Sequence, residues 1–329
     1  MNCTLEKAAK LLLEKQSFIF LCHIHPDGDT VGSAYALKYA LEAVGKSAEV
    51  KCAEEIPPRL RFLTELGSSD RTREPSNATV KEKLVCAIDV AETHLLGVNG
   101  AFYDGVIGLK IDHHPNGSEY ATYNYIDGKA AACGEIIFKL LCRLNEMGGC
   151  KMTESVCTCL YAALASDTGC FRYTNTTSET MRIAAALIDG GANNGAVNHL
   201  LFEMRSKAEM TARRYMLNNI SYHMDGKVAT LMIDADFRRS AGAADDDIGG
   251  LVSEMREIEG VELAICLKQD LEDPSKFKIS MRSGEGIAAN GLCQMFGGGG
   301  HERAAGGMII SDSPEKALSE VTEKVFAAI

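Results

Sequence analysis

Apolar and polar positions along this chain fall into short blocks whose period changes from place to place. FIFLC at 18–22 is an unbroken apolar run of strand length. TVGSAYALKYALEAVG, ending at Gly45, carries helical periodicity with a glycine stop. SAEVKCA reads as a strand, and PPRLRFLTEL as a short helix with its prolines at the start. KLVCAIDVA and GVIGLKIDHH are further apolar runs that end in charged residues. CGEIIFKLLCRLNEM and TESVCTCLYAALASDTG read as helices, and 177–222 as helical throughout. After Met224 the pattern changes. GKVATLMIDA, VELAICLKQD and KFKISMRS read as strands, and DDIGGLVSEMREIEG as a helix between the first two. A glycine-rich loop, FGGGGHERAAGG, precedes a last strand and helix.

Strands alternating with helices predict an α/β fold, with a parallel sheet covered by helices on both faces in the first half. The second half predicts a smaller mixed α/β domain. The expected organisation is a domain over 1–190, a helical linker over 191–224 and a second domain over 225–329. The length of 329 residues suits two domains at roughly 100–200 residues each.

Ligands of a parallel sheet gather beyond the carboxyl ends of its strands. His23, Asp27 and Asp29 follow the first apolar run, Asp89 ends the third, and Asp112, His113 and His114 end the fourth. In His23-Ile24-His25-Pro26-Asp27-Gly28-Asp29 one imidazole and two carboxylates sit on a turn and can converge on a divalent ion. A solvated loop is the alternative, with Asp29 as a helix cap. Asp89 alone could equally be a structural cap, and Asp167, beside Thr168 and Gly169, a turn former. Asp112-His113-His114 is harder to explain without a ligand, because burying such groups unpaired is costly. Together these residues suffice for two metal ions that share a carboxylate. Such a pair activates water and stabilises a leaving oxygen in phosphoryl transfer.

Charge narrows the partner. Against 34 basic residues stand 45 acidic ones, a net charge of -11, with no basic run. Long duplexes are bound through many Lys and Arg contacts to phosphates, so a small anionic substrate fits better. No stretch reaches the ~18 apolar residues of a membrane span. The N-terminal pattern is not that of a signal peptide. The 12 cysteines form no C-x-x-C pair and read as buried apolar groups in a reducing cytoplasm.

The order H-x-x-x-D-x-D, D, D-H-H, D resembles the DHH phosphoesterase family. Gly297-Gly298-Gly299-Gly300-His301 with Ala304-Ala305-Gly306 resembles the GGGH loop of the first type of DHH-associated domain. The motifs span residues 23 to 306, and nanoRNase/pAp phosphatases share the compact two-domain length. The resemblance implies a site in the cleft between the domains. It implies one metal on His23, Asp27 and Asp89, and another on Asp29, Asp89, His113 and Asp167. Mn is the favoured ion, with Mg or Co as alternatives. His114 would contact the reacting phosphate, and Asp112 would orient a histidine. Arg282, Ser283, Gly298, Gly299, Gly300 and His301 would hold the nucleotide. The implied substrates are short oligoribonucleotides, linear dinucleotides or pAp, and the family admits a homodimer. A cyclic or linear dinucleotide signal is an alternative substrate, as is pyrophosphate. A regulator without catalysis would lack a metal ligand, and none is missing. The chain departs from many relatives in having no Arg shortly after Asp89. His94 stands in that stretch, and His25 fills a variable position with no metal assigned.

Overall fold

The computed structural model describes residues 1–67, 79–80 and 82–329. The chain divides into two compact units, Met1–Met204 and Arg205–Ile329.

The first unit runs α1 (Leu5–Glu14), β1 (Ser17–Leu21), α2 (Gly28–Glu42), β2 (Ser47–Lys51), β3 (Leu84–Ile88), α3 (Val98–Phe102), β4 (Ile107–Asp112) and β5 (Tyr123–Ile126). The helices α4 (Cys133–Glu146), α5 (Glu154–Asp167), α6 (Ser178–Asp189) and α7 (Asn194–Asn198) follow. The strands form one sheet in the order β2-β1-β3-β4-β5, and every pair is parallel. Strand order therefore reverses between β1 and β3, which opens a crevice beyond their carboxyl ends.

Alternation within β1 shows how the sheet is buried on both faces. Phe18 and Phe20 pack among Leu12, Leu37, Ile137 and Leu160 of the surrounding helices. Ile19 and Leu21 face the opposite way, against Val85, Ala87 and Leu96. Each such side chain contributes about 1.5–3 kcal/mol by leaving water. α2 is buried almost all round because glycine lets α5 approach it. A Cβ on Gly32 would lie 2.4 Å from the Cys159 carbonyl oxygen, and one on Gly28 would lie 2.7 Å from the Ser166 Cβ. This contact sets the end of α5 beside the start of α2.

The second unit contains α8 (Lys207–Asn219), β6 (Ser221–His223), β7 (Val228–Ile233), α9 (Ala235–Ala241), α10 (Asp245–Gly249), α11 (Leu251–Arg256) and β8 (Leu263–Gln269). It continues with β9 (Lys276–Ser283), α12 (Ala289–Gln294), β10 (Gly299–His301), β11 (Ala304–Ile310) and α13 (Pro314–Phe326). Its sheet has the order β10-β11-β9-β8-β7-β6, with β7–β8 parallel and the other pairs antiparallel. Ile265, Ile279 and Met281 pack on α12 and α13, while Ala264 and Cys266 pack on α8, α10 and α11.

Four local expectations need correction. The helical reading of 177–222 fails at its end, where Ser221, Tyr222 and His223 pair with Thr230, Ala229 and Val228 as a strand. The helix expected over 246–260 is two, α10 and α11, meeting at Gly250. The segment at Pro58–Glu65 is a 3-10 helix. The glycine-rich loop is a hairpin, with Gly299 opposite Gly306 and Gly300 opposite Ala305.

Candidate metal centre

The turn after β1 brings the first three candidates together. Asp27, and not Asp29, caps α2: its Oδ1 accepts the N–H groups of Asp29 and Thr30 at 3.0 and 3.1 Å. Asp29 lies two residues on, in the first turn of α2, and is fully buried. Its Oδ2 accepts from the Cys133 N–H at 2.6 Å, and its Oδ1 from the Gly134 N–H at 2.9 Å and the Ser33 hydroxyl at 3.2 Å. The first turn of α4 thus holds this carboxylate in place. His25 has φ 54°, is exposed and pairs with Glu54 at 2.8 Å. His94 is also exposed, on a 3-10 turn at Thr93–Leu96.

Asp89 leaves β3 with φ 60°, a left-handed backbone that costs an L residue about 1–2 kcal/mol. Its two oxygens face two histidines. Oδ2 is 3.6 Å from His23 Nε2, and Oδ1 is 3.5 Å from His113 Nε2. His23 Nε2 also lies 3.6 Å from Asp27 Oδ1. His113 Nε2 lies 3.8 Å from Asp29 Oδ2 and 3.3 Å from Asp167 Oδ2. The other ring nitrogens are engaged elsewhere. His23 Nδ1 is 2.7 Å from the Ile24 carbonyl oxygen, and His113 Nδ1 is 3.3 Å from that of Ala130. Both rings therefore turn Nε2 toward the carboxylates.

These separations exceed ordinary N–H···O distances of ~2.7–3.2 Å. They suit donors that share a cation, each at roughly 2.0–2.2 Å from it. Two triads result, His23/Asp27/Asp89 and Asp29/His113/Asp167, and a third grouping, Asp89/His113/His114, joins them. Asp89 Oδ1 and His113 Nε2 are buried and have no hydrogen-bond partner. Leaving a buried polar atom unmet costs about 1–3 kcal/mol, so this pair is built for a ligand. The residues present fit two divalent cations.

Proton affinities point the same way. Burial, and then the carboxylates of Asp29, Asp89 and Asp27, push Asp167 up to about 10. Burial raises Asp29 to about 6 and Asp89 well above the carboxylate range. For His23 burial alone would lower the value, but Asp27 and Asp89 outweigh it and raise it to about 11. A divalent cation competes with those protons, and its binding releases them.

Asp112 is fully buried beside the centre. Its Oδ1 accepts from His114 Nδ1 at 2.7 Å and from the His113 N–H at 2.9 Å. Nε2 is thereby the nitrogen of His114 left for a ligand. Lys110, also fully buried, lies 3.1 Å from Asp112 Oδ2. Sequence reasoning passed over this lysine, although a cation inside an apolar strand two residues before Asp112 must share its face.

In the second unit, Ala304 pairs with Arg282 on one side and with His301 on the other. The two basic residues therefore flank a small side chain at one register level, roughly 10 Å apart across three strands. Gly298 and Gly300 are demanded by packing. Cβ atoms there would lie 1.9 Å from the Gly306 oxygen and 2.6 Å from the Ala304 oxygen, whereas Gly299 faces open space. The Ser283 hydroxyl donates to the Ile287 carbonyl at 2.7 Å, so only its oxygen lone pairs remain for a ligand.

Known proteins resemble this chain in sequence and fold. The signature of the DHH family, N-terminal domain, matches residues 17–164, and that of the DHHA1 domain matches residues 225–328. The bifunctional oligoribonuclease and PAP phosphatase NrnA of Thermus thermophilus is 30% identical over 93% of this chain and 89% of its own length. The protein of the same name from Bacillus subtilis is 27% identical over 91% of each chain. A solved structure of an exopolyphosphatase-related protein from Bacteroides fragilis superimposes with a TM-score of 0.85. It is 23% identical and covers 97% of this chain and 94% of that one, which shows a common fold.

Proposed function

This chain belongs to the DHH family of phosphoesterases, and from that premise we propose that it hydrolyses short oligoribonucleotides and linear dinucleotides to mononucleotides, and pAp to AMP. The observation that carries the reading is Asp89, whose two oxygens face His23 and His113 on opposite sides. The NrnA names of its relatives support the substrate class.

Two divalent cations, with Mn favoured by the mixed imidazole and carboxylate donors, would generate a nucleophile from water near neutral pH and neutralise charge on the phosphoryl group. His23, Asp27 and Asp89 would hold one, and Asp29, Asp89, His113 and Asp167 the other. His114, its Nδ1 committed to Asp112, would present Nε2 to the reacting phosphate. Asp112 orients that ring. Arg282 and His301 would anchor a remote phosphate, with Gly299 allowing the backbone of β10 to approach it. In this scheme residues 1–190 carry the chemistry and 225–329 the substrate. No helix among the described residues is long and apolar enough to cross a membrane. The 12 cysteines are free thiols, which supports a reducing cytoplasmic setting.

The test is a comparison of initial rates with Mn on pApA, a five-nucleotide RNA, a long single-stranded RNA, pAp and pyrophosphate. Preference for pApA, the short RNA or pAp is expected, and their ratio assigns the subtype. Activity confined to pyrophosphate would overturn the substrate class.

A further inference from the structure

Lys110 is a charged side chain with no exposure at all, in the middle of the apolar strand β4. An ammonium has three N–H donors; two find carbonyl acceptors here, and a carboxylate lies within ion-pair distance. Nζ donates to the carbonyl oxygens of Ala91 and Ser118, both at 2.9 Å, and lies 3.1 Å from Asp112 Oδ2. Ala91 belongs to the turn that leaves Asp89, and Ser118 to the loop that follows His114. One ammonium therefore ties together three segments around the candidate metal centre. Gly117 closes over it: a Cβ there would lie 2.8 Å from Nζ and 2.9 Å from the Ala91 oxygen.

The clamp matters for His114. Asp112 has one oxygen on Lys110 and the other on His114 Nδ1 and the His113 and His114 N–H groups. The ammonium attracts Oδ2, which has no hydrogen-bond partner of its own, and so favours the orientation in which Oδ1 accepts from the imidazole. The Nδ1–H tautomer is then enforced, and Nε2 is the nitrogen left to meet a ligand. We propose that Lys110 is a positioning residue for the phosphoesterase reaction, acting through Asp112 to fix the ring orientation and tautomer of His114. This rests on the hydrolase reading above, but its structural part can be tested without turnover.

The experiment uses the full chain and three variants, Lys110→Met, Gly117→Ala and His114→Ala, together with the two double variants that contain His114→Ala. Gly117→Ala disturbs the same ammonium from the opposite side and keeps the charge, so it serves if Lys110→Met does not fold. In nitrogen-15 NMR of metal-free protein, at a pH high enough for the ring to be neutral, His114 of the wild type is expected as a single Nδ1–H tautomer. Either variant at Lys110 or Gly117 is expected to add an Nε2–H population. With Mn and pApA, each is expected to lower kcat by about 10-fold to 100-fold, as loss of a supporting partner of a site histidine does, with little change in KM. In the His114→Ala background the further loss should shrink to under about threefold, since the path through His114 is already cut. An unchanged tautomer, or an equal loss with and without His114, would overturn the proposal. A wild type inert toward pApA, short RNA and pAp, with the expected tautomer shift in the variants, would count against the hydrolase reading and leave only the positioning of the His114 ring standing.

Discussion

Asp89 Oδ1 and His113 Nε2 lie 3.5 Å apart, buried, with no hydrogen bond to either atom. A folded chain keeps such a pair when something else satisfies it, and the same Asp89 turns its second oxygen to His23. The shared carboxylate is the centre of the account.

Replacing Asp89 by Asn should abolish turnover and weaken Mn binding by at least an order of magnitude. It should not weaken the metal-free fold, because burial and the neighbouring Asp29 already disfavour the charge. Thermal unfolding in chelator should give a Tm equal to or above that of the wild type. A metal-free loss of more than about 2 kcal/mol would mark Asp89 as a structural residue instead.

Stability and metal affinity should respond to pH in opposite directions. Asp29 and Asp167 are raised to about 6 and about 10, above the 3.8 of a free carboxyl, and His23 to about 11 from 6.5. Each raised group contributes stability below its unfolded value that is lost as pH climbs through its folded one. Metal-free protein should therefore lose the Asp29 contribution mainly below about pH 6, and lose stability from Asp167 and His23 as pH rises from 6 to 8. Metal must displace the same protons, so affinity should rise over that interval. Calorimetry in two buffers of different ionisation enthalpy reads the protons released, and a release near zero would contradict the cluster.

The glycines of the hairpin should separate by role. Gly298→Ala places a methyl 1.9 Å from the Gly306 oxygen and should cost roughly 1–3 kcal/mol of stability in unfolding experiments. Gly299→Ala meets nothing within 4 Å and should leave Tm unchanged while raising KM. Equal KM in wild type and Gly299→Ala would remove that glycine from the substrate site.

Arg282→Ala should raise KM more than it lowers kcat, the signature of an anchor on a remote phosphate. A change confined to kcat would contradict the anchor. Ser283→Ala should act mainly on stability, by about 1 kcal/mol, because its hydroxyl serves the Ile287 carbonyl.

The sheet of the first unit was legible because its buried strands are apolar runs that stop where charges begin, as at Ile88–Asp89 and Ile111–Asp112. That boundary also exposed the candidate ligands. β5 was not legible: Tyr123–Ile126 is four residues long and half polar, and it becomes a strand only by pairing with β4. β6 was hidden for the same reason, since Ser221–His223 needs β7 to define it. Asp27 and Asp29 could not be told apart as cap and buried carboxylate. The difference depends on Cys133 and Gly134, more than a hundred residues away in sequence. Lys110 was hidden by its place in an apolar run, although its two-residue offset from Asp112 held the clue.

The most direct test is the rate of pApA hydrolysis as Mn is titrated into chelator-stripped protein. Two cations sharing Asp89 predict that activity climbs steeply with the second equivalent per chain and is complete at two. Full activity at one equivalent, or no activity on pApA, short RNA or pAp at any metal level, would contradict a two-metal centre.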